Sequence, residues 1–191
     1  MISVLTKVLI LYGTRYGTTK EISGEIEKII LEKGFKAESY NLSDIDLKNI
    51  PRLDKYDGVI LGSGIKINRW TKAAKKFLKK RKSELIKIQN KMGVYVCCGE
   101  AAKKSNINGA IEKYITAKLE DIGLKPSLVD AFGGAYDLRE GSAINGMTKK
   151  IVIGIMQKEE GIENPDGKLH DFRDWEQIKS FANKFVDLLN Q

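Results

Sequence analysis

Short apolar runs alternate along the chain with longer segments in which apolar residues recur every three or four positions. Strands are predicted at five of the short runs, residues 7–13, 35–41, 57–62, 93–98 and 127–132. Helices are predicted at the periodic segments, residues 19–33, 72–88, 109–122 and 174–189. Strands that alternate with helices form parallel βαβ units. The predicted fold class is therefore α/β, a doubly wound five-stranded parallel sheet with helices on both faces.

The ends of several predicted helices carry recognisable residues. Gly34 and Gly123 follow the first and third helices, where a glycine allows the positive φ of a helix C-terminus. Asp174 precedes the last helix and Gln177 follows three positions later, which is the spacing of a capping box.

One region interrupts the simple alternation. Residues 133–173 contain a glycine-containing loop, an apolar helical segment at 147–156 and an Asn-Pro-Asp-Gly turn signal at 164–167. The chain holds no linker long enough for a domain boundary. We therefore expect a single domain over residues 1–191, in which 133–173 form an insertion between the fifth strand and the last helix.

The positive charge of the chain is concentrated in one segment. The net charge is +8, and the stretch from Lys72 to Lys91 alone holds nine basic residues and one acidic residue. Its lysines fall on one side of a helical wheel and its apolar residues on the other. This basic face is either solvated surface or a docking face for an acidic redox protein, with peripheral membrane contact a further alternative. Nucleic acid is disfavoured, because no aromatic residue lies among the lysines.

Histidine and cysteine usage excludes several kinds of site. A single histidine, His170, rules out zinc sites built on several histidines, and we expect it in an exposed loop. Cys97 and Cys98 are adjacent, so a disulfide between them is disfavoured, and they lack a redox-type spacer. We expect Cys97 to pack in the core and Cys98 to lie at the margin of the loop that follows, in a reducing, cytoplasmic setting. Residues 1–7 do not resemble a signal peptide, and no apolar run approaches the ~18 residues of a membrane span.

The loop after the first predicted strand carries the clearest candidate chemistry. Its candidate binding residues are Thr14, Arg15, Tyr16, Gly17, Thr18 and Thr19. Backbone amides at a helix N-terminus, together with hydroxyl groups, make an anion site. The loop matches neither a Walker A motif nor a dinucleotide fingerprint. It fits either a phosphate site or a threonine-rich helix cap.

This loop resembles the Thr/Ser-x-Thr/Ser-Gly-x-Thr phosphate loop of the flavodoxin family, with Tyr16 at the third position. Residues 9–17, 59–66 and 174–177, with Gly-Ala at 134–135, resemble the flavodoxin-type quinone-dependent protoporphyrinogen dehydrogenases. The resemblance spans nearly the whole chain. It implies that flavin mononucleotide, FMN, is bound by three loops at the carboxyl edge of the sheet.

The resemblance also assigns the two loops that would flank the flavin ring. The second loop contributes Ser63, Gly64, Ile65, Lys66, Ile67, Asn68 and Trp70, and the third contributes Cys98, Gly99, Glu100 and Ala101. Trp70 either stacks on the ring or packs under the helix that follows. The third loop lacks the aromatic residue of many flavodoxins, which predicts an open flavin face. Residues 136–141 are the expected source of substrate specificity, although they are short and mixed in charge.

Together these features favour an FMN-dependent oxidoreductase that passes electrons from a reduced small-molecule substrate to a quinone or similar acceptor. Two alternatives stay open, a flavodoxin-type electron carrier and a flavin-free binding module on the same fold. The sequence assigns neither a catalytic side chain nor an oligomeric state, and it predicts no metal site.

Overall fold

The computed structural model describes residues 6–191, so most of the stretch that argues against a signal peptide lies outside the described residues. Five strands form one sheet: β1 (Lys7–Gly13), β2 (Lys36–Asn41), β3 (Gly58–Gly64), β4 (Met92–Cys97) and β5 (Leu128–Phe132). Every neighbouring pair is parallel, and the strand order is β2-β1-β3-β4-β5. The structure thus confirms the predicted doubly wound five-stranded parallel sheet.

Seven α-helical segments accompany the sheet in the described chain: α1 (Thr18–Glu32), α2 (Lys72–Lys80), α3 (Lys82–Ile88), α4 (Ile107–Ile111), α5 (Ala117–Glu120), α6 (Gly146–Glu159) and α7 (Trp175–Leu189). A π-helical stretch, Glu112–Thr116, joins α4 to α5. Short strands β6 (Ala135–Asp137) and β7 (Leu169–Asp171) form an antiparallel pair outside the main sheet. Among residues 6–191, no helix combines the length and the apolar character needed to cross a membrane.

The side chains of alternate residues in the buried strands pack into two separate cores, one on each face of the sheet. On β1, Val8 and Ile10 face α1 and α7, and Leu9 and Leu11 belong to the core that includes α2, α3 and α4. This two-residue period places helices on both sheet faces, because both faces of a parallel sheet are buried. Because all five strands are parallel, the loops that follow them emerge at the same carboxyl edge of the sheet.

One buried tyrosine connects β4 to the beginning of α1. The hydroxyl oxygen of Tyr95 lies 2.6 Å from the Oγ of Ser23 and donates a 3.3 Å hydrogen bond to the carbonyl of Thr19. A β-carbon on Gly62 would lie 2.3 Å from the Tyr95 ring, so the neighbouring strand needs glycine there. The start of α1 is thus held firmly on the sheet.

The predicted helix over residues 72–88 is wrong in one respect, because the structure breaks it into α2 and α3. Arg81 stands at the break with φ −110° and ψ 15°. Its guanidinium donates hydrogen bonds to the carbonyls of Leu47 at 3.2 Å and Pro51 at 2.9 Å. The two carbonyls belong to the segment between β2 and β3. The spacing of apolar residues over 72–88 could not reveal contacts with that segment.

The region from β6 to β7 has a small core of its own. Buried Leu138, Ile144, Val152 and Met156 form it, and they are separate from both cores of the main sheet. His170 lies in β7, half-buried, with Nε2 2.6 Å from a backbone carbonyl, so its expected place in an exposed loop is wrong. The β6–β7 pairing brings this whole segment back over the carboxyl edge of the sheet.

Candidate cofactor site

A cleft of about 440 Å³ lies where the loops after β1, β3 and β4 meet β6 and α6. Its volume falls within the range of small-molecule sites. Thirteen of the predicted binding residues line it: Thr14, Arg15, Tyr16, Thr18, Thr19, Gly64, Ile65, Lys66, Ile67, Asn68, Cys98, Gly99 and Glu100. The three loops that the sequence singles out therefore converge on one site.

The first loop leaves the N-terminus of α1 open toward this cleft. Gly17 precedes the helix with φ +95°, and no side chain caps the helix. Thr14 Oγ1 accepts a 3.0 Å bond from the Gly17 amide, which fixes the turn. The helical hydrogen-bond ladder begins with Glu21, whose amide donates to Gly17, so the earlier first-turn amides remain outside the ladder. This arrangement favours an anion at the start of α1.

The two threonines that open α1 have different surroundings. Thr18 Oγ1 donates to the carbonyl of Ala135 at 3.2 Å, which ties the first loop to β6. The Thr19 side chain is buried and faces Gly64, where an added β-carbon would lie 3.0 Å from its hydroxyl. The small residue on the second loop therefore keeps the cleft open beside the helix N-terminus.

Arg15 joins the first loop to the second. Its guanidinium donates to the carbonyls of Gly64 at 2.7 Å, Arg69 at 3.0 Å and Trp70 at 2.9 Å. Burial lowers the pKa of Arg15, because the charged form loses hydration. Three carbonyl partners occupy most of its donor groups, so the main role of Arg15 is to hold the second loop against the first. Arg15 also lines the cleft.

The second loop turns back on itself through two residues with positive φ. Lys66 and Arg69 exchange two backbone hydrogen bonds of 3.1 Å. Between them Ile67 has φ +49° and Asn68 has φ +55°. Positive φ is rare for a β-branched residue, so this turn is strained at the edge of the cleft. Ile67 is also 76% exposed.

Two adjacent cysteines line the inner wall of the cleft. Cys97 is the last residue of β4, and Cys98 follows it. Burial raises the pKa of Cys97 to about 12 and that of Cys98 to about 11. Both thiols are free and buried. At neutral pH they are protonated, and a thiol rather than a thiolate is a poor nucleophile.

Tyr114, which the sequence analysis missed, connects the second loop to the third. Its hydroxyl oxygen lies 2.8 Å from Asn68 Oδ1 and 2.7 Å from Glu100 Oε1. Lys113 Nζ donates to the same carboxylate at 2.6 Å. Burial opposes the shift, but the hydrogen bonds from Lys113 and Tyr114 lower the pKa of Glu100. The sequence gives no sign of this role for Tyr114, because Asn68 and Glu100 are distant from it in the chain.

Aromatic side chains reach the cleft from the segment between β5 and α7. Tyr136 and Phe172 both line it, with ring centroids 6.3 Å apart. A β-carbon on Gly99 would lie 2.8 Å from the Tyr136 hydroxyl oxygen. Burial raises the pKa of Tyr136. The third loop itself has no aromatic residue, and the insertion places the ring of Tyr136 beside it. The open flavin face stays a prediction.

Lys66 links all three sides of the cleft mouth. Its ammonium donates hydrogen bonds to the hydroxyls of Tyr16 at 2.6 Å and Thr148 at 2.9 Å. Tyr16 also packs against the small core of the insertion. The first loop, the second loop and α6 thus meet at one ammonium group.

Four predicted residues do not line the cleft: Gly17, Ser63, Trp70 and Ala101. Trp70 is buried in the core that contains residues of α2, and its Nε1 donates to the carbonyl of Tyr114 at 2.7 Å. Of its two predicted roles, the structure shows packing rather than stacking in the cleft. Ser63 is buried as well, and its Oγ accepts from the Thr71 amide at 3.1 Å. Ser63 and Trp70 therefore support the second loop from the core side.

The strand order and the open helix N-terminus at the carboxyl edge are those of flavodoxin-like proteins. The chain belongs to the flavodoxin family, because the model described as "Flavodoxin domain" matches residues 9–166. Two relatives are named protoporphyrinogen IX dehydrogenase [quinone]. The one from Escherichia coli K12 is 25% identical over 185 residues and 97% of each chain. The one from Leishmania major is 26% identical over 98% of this chain and 78% of that protein.

Solved structures agree with this fold. Oxidised flavodoxin 1 from Bacillus cereus aligns over 95% of this chain and 98% of its own, with a TM-score of 0.53 and 18% identity. Rubredoxin oxygen:oxidoreductase from Desulfovibrio gigas gives a TM-score of 0.58 and 15% identity. That alignment covers 96% of this chain and 36% of the larger protein.

Proposed function

We propose that this chain is an FMN-binding oxidoreductase that passes electrons from a reduced substrate to a quinone or similar acceptor. One observation carries the proposal: the open N-terminus of α1 and the hydroxyls of Thr14, Thr18 and Thr19 line the same cleft as an apolar wall from α6. The relatives named protoporphyrinogen IX dehydrogenase [quinone] support the same chemistry over nearly the full chain.

The residues present fit FMN. The first-turn amides of α1 and the threonine hydroxyls suit a phosphate group. Gly64, Gly99 and Gly134 line the cleft without side chains of their own, and Tyr136 offers a flat ring an aromatic neighbour. Bound FMN would supply the redox chemistry, whereas the protein would bind it, orient it and exclude water.

An apolar acceptor fits the mouth of this cleft. Ile151 and Ile155 of α6 line it one turn apart, with exposures of 52% and 46%, and Ile67 faces it from the second loop. Met147 continues the row along α6 and is 77% exposed. Contiguous exposed apolar side chains mark binding surfaces. A quinone would bury its ring and apolar tail here.

The loop after β6 carries both signs of charge. Arg139 donates to Asp137 at 2.7 Å, so these two charges neutralise each other, and the next residue, Glu140, adds a negative charge. We also propose that residues 1–191 form one domain, since Tyr16 from the first loop packs into the core of the insertion.

A flavodoxin-type electron carrier is the second candidate. The observation in its favour is the basic surface from Lys72 to Lys91, which would suit an acidic partner protein better than a neutral quinone. Reduced, FMN-loaded protein mixed with a water-soluble quinone separates the two functions. Rapid reoxidation supports the oxidoreductase, whereas reoxidation only by a partner protein supports the carrier.

FMN binding itself is tested by titration of the purified protein, followed by quenching of flavin fluorescence. We expect Thr14→Ala with Thr19→Ala to weaken FMN binding by about tenfold or more, which corresponds to the loss of roughly 1.4 kcal/mol. Thr116→Ala, on the π-helical stretch away from the cleft, is the matched control and should bind as the wild type does. The proposal would be refuted if the double variant bound FMN with unchanged affinity, or if the wild type did not bind FMN.

A further inference from the structure

We propose that a second, basic groove binds an acidic, amphipathic segment of a partner protein. The groove has a volume of about 860 Å³ and lies between residues 46–54 and the helices α2 and α3. It shares no lining residue with the candidate cofactor cleft. The inference therefore does not depend on whether the chain binds FMN.

The groove is held open by the break between α2 and α3. The Arg81 side chain at that break is only 14% exposed. It bonds the carbonyls of Leu47 and Pro51, and its guanidinium also donates to Glu84 at 2.9 Å. These bonds fix the chain before β3 against the two helices. The concave shape is thus built into the folded chain, and a ligand would not have to create it.

The acidic residues of the groove are already paired. Asp46 pairs with Lys48 at 3.7 Å, Asp54 pairs with Arg52, and Glu84 pairs with Arg81. Across the described part of the chain, the three remaining lysines of the groove make no ion pair, and all three are exposed: Lys76, Lys80 and Lys87. The groove therefore carries three positive charges that are available to a ligand.

The floor of the groove is apolar. Ile50 is 4% exposed, and the side chains of Leu47 and Ile88 are half-buried beside it. An apolar floor with a basic rim complements a segment that is apolar on one side and acidic at its edges. Lys76 and Lys80 lie one turn apart on α2, so two carboxylates one turn apart on a partner helix match their spacing.

The mixed rim favours a protein segment over other anionic partners. A nucleic acid presents only negative charge to Asp46, Asp54 and Glu84, and no aromatic residue lines the groove to stack on a base. A bilayer presents a flat surface that does not reach a concave floor. A protein segment can place its own polar groups beside the acidic residues.

The test uses a fluorescently labelled helical peptide of about 15 residues with glutamates one turn apart and leucines on the same face. Anisotropy measures its binding to the whole chain at low salt. We expect Lys76→Gln, Lys80→Gln and Lys87→Gln combined to weaken binding by about tenfold. The matched control combines Lys75→Gln, Lys79→Gln and Lys82→Gln, which removes the same charge from exposed positions of the same helices outside the groove.

Several outcomes would overturn the proposal. These are undetectable binding to the wild type, equal weakening by both triple variants, and equal binding of a peptide with glutamine in place of glutamate. Tighter binding of a single-stranded oligonucleotide or of anionic phospholipid vesicles, lost in the groove variant alone, would assign the groove to those partners instead. FMN titration of both triple variants separates this result from the proposed function, because neither variant changes the cofactor cleft.

Discussion

The ammonium of Lys66 lies 5.2 Å from the centre of the Tyr16 ring and donates a hydrogen bond to the hydroxyl of that tyrosine. Burial opposes ionisation of Tyr16, but the hydrogen bonds with Lys66 and Thr148 and the charge of Lys66 lower its pKa below the usual value. A tyrosine in place of a small hydroxyl residue therefore does more than fill the first loop. It connects that loop to the second loop and to α6.

Removing the Lys66 charge should raise the pKa of Tyr16. We expect Lys66→Met to move tyrosinate formation at this residue to higher pH, because the positive charge no longer stabilises the phenolate. Ultraviolet difference titration against Tyr16→Phe isolates the signal from the other tyrosines. Lys20→Met, at an exposed position of α1, is the control. An identical titration in the wild type and Lys66→Met would contradict the interpretation.

A methyl group on Gly62 should destabilise the sheet. Its β-carbon would lie 2.3 Å from the Tyr95 ring, which is fully buried between α1 and α7. We expect Gly62→Ala to cost about 1–3 kcal/mol of unfolding free energy in guanidinium titrations. Gly24→Ala is the matched control, because that glycine lies in α1 with open space around it. The control should gain roughly 0.5–1 kcal/mol, and equal losses in both variants would argue against crowding.

The cysteines should be inert in the native protein. Because burial raises their pKa values to about 12 and about 11, both thiols are protonated at pH 8. Ellman's reagent should modify neither thiol until denaturant is added, and then both. A raised folded-state pKa contributes stability that is complete below the unfolded thiol pKa and is lost as pH rises through the folded value. Stability should therefore fall above about pH 9. Fast modification of native protein would contradict this picture.

Asp174 should stabilise α7 in a pH-dependent manner. Its carboxylate accepts the amides of Glu176 and Gln177 at 3.1 Å, and Lys104 Nζ lies 3.0 Å away. The Lys104 contact and these amides lower the pKa of Asp174. We expect Asp174→Ala to cost about 1 kcal/mol at pH 7.

The pH dependence of that loss follows from the direction of the shift. A lowered folded-state pKa gives stability that is present above the unfolded value and disappears as pH falls through the folded one. The difference in melting temperature between the wild type and Asp174→Ala should therefore become smaller in acid. Asp174→Asn is the control, since it keeps a capping acceptor that does not titrate, and its difference from Asp174→Ala should not change with pH. A gap that stays constant down to low pH would exclude the carboxylate as the source.

The sheet and the first loop were predictable because their signals are local. The run at residues 7–13 and the glycine and threonines that follow it describe a buried strand, a turn and a helix start within a few positions. Gly34 and Gly123 have the positive φ that their places after helices predict. In each case the residue type responds to its own backbone or to its nearest neighbours.

The features that the sequence did not reveal depend on contacts between distant segments. Arg81 interrupts a helical pattern through carbonyls about thirty residues earlier. Tyr136 reaches Gly99 because β6 pairs with β7, and both strands are too short for a period of two to stand out. Trp70 has an aromatic ring suited to stacking, but the carbonyl of Tyr114 is its hydrogen-bond partner in the core. Residue type alone does not choose between such partners.

The separate core under α6 has a kinetic consequence. Four buried residues hold this helix to its surroundings, whereas the strands of the main sheet are buried on both faces. Hydrogen exchange should therefore be faster at the amides of α6 than at those of β1 and β3, because a small cooperative unit opens without the rest of the chain. A molecule in the cleft would then leave at a rate set by that local opening. Its residence time and the melting temperature of the protein would vary independently.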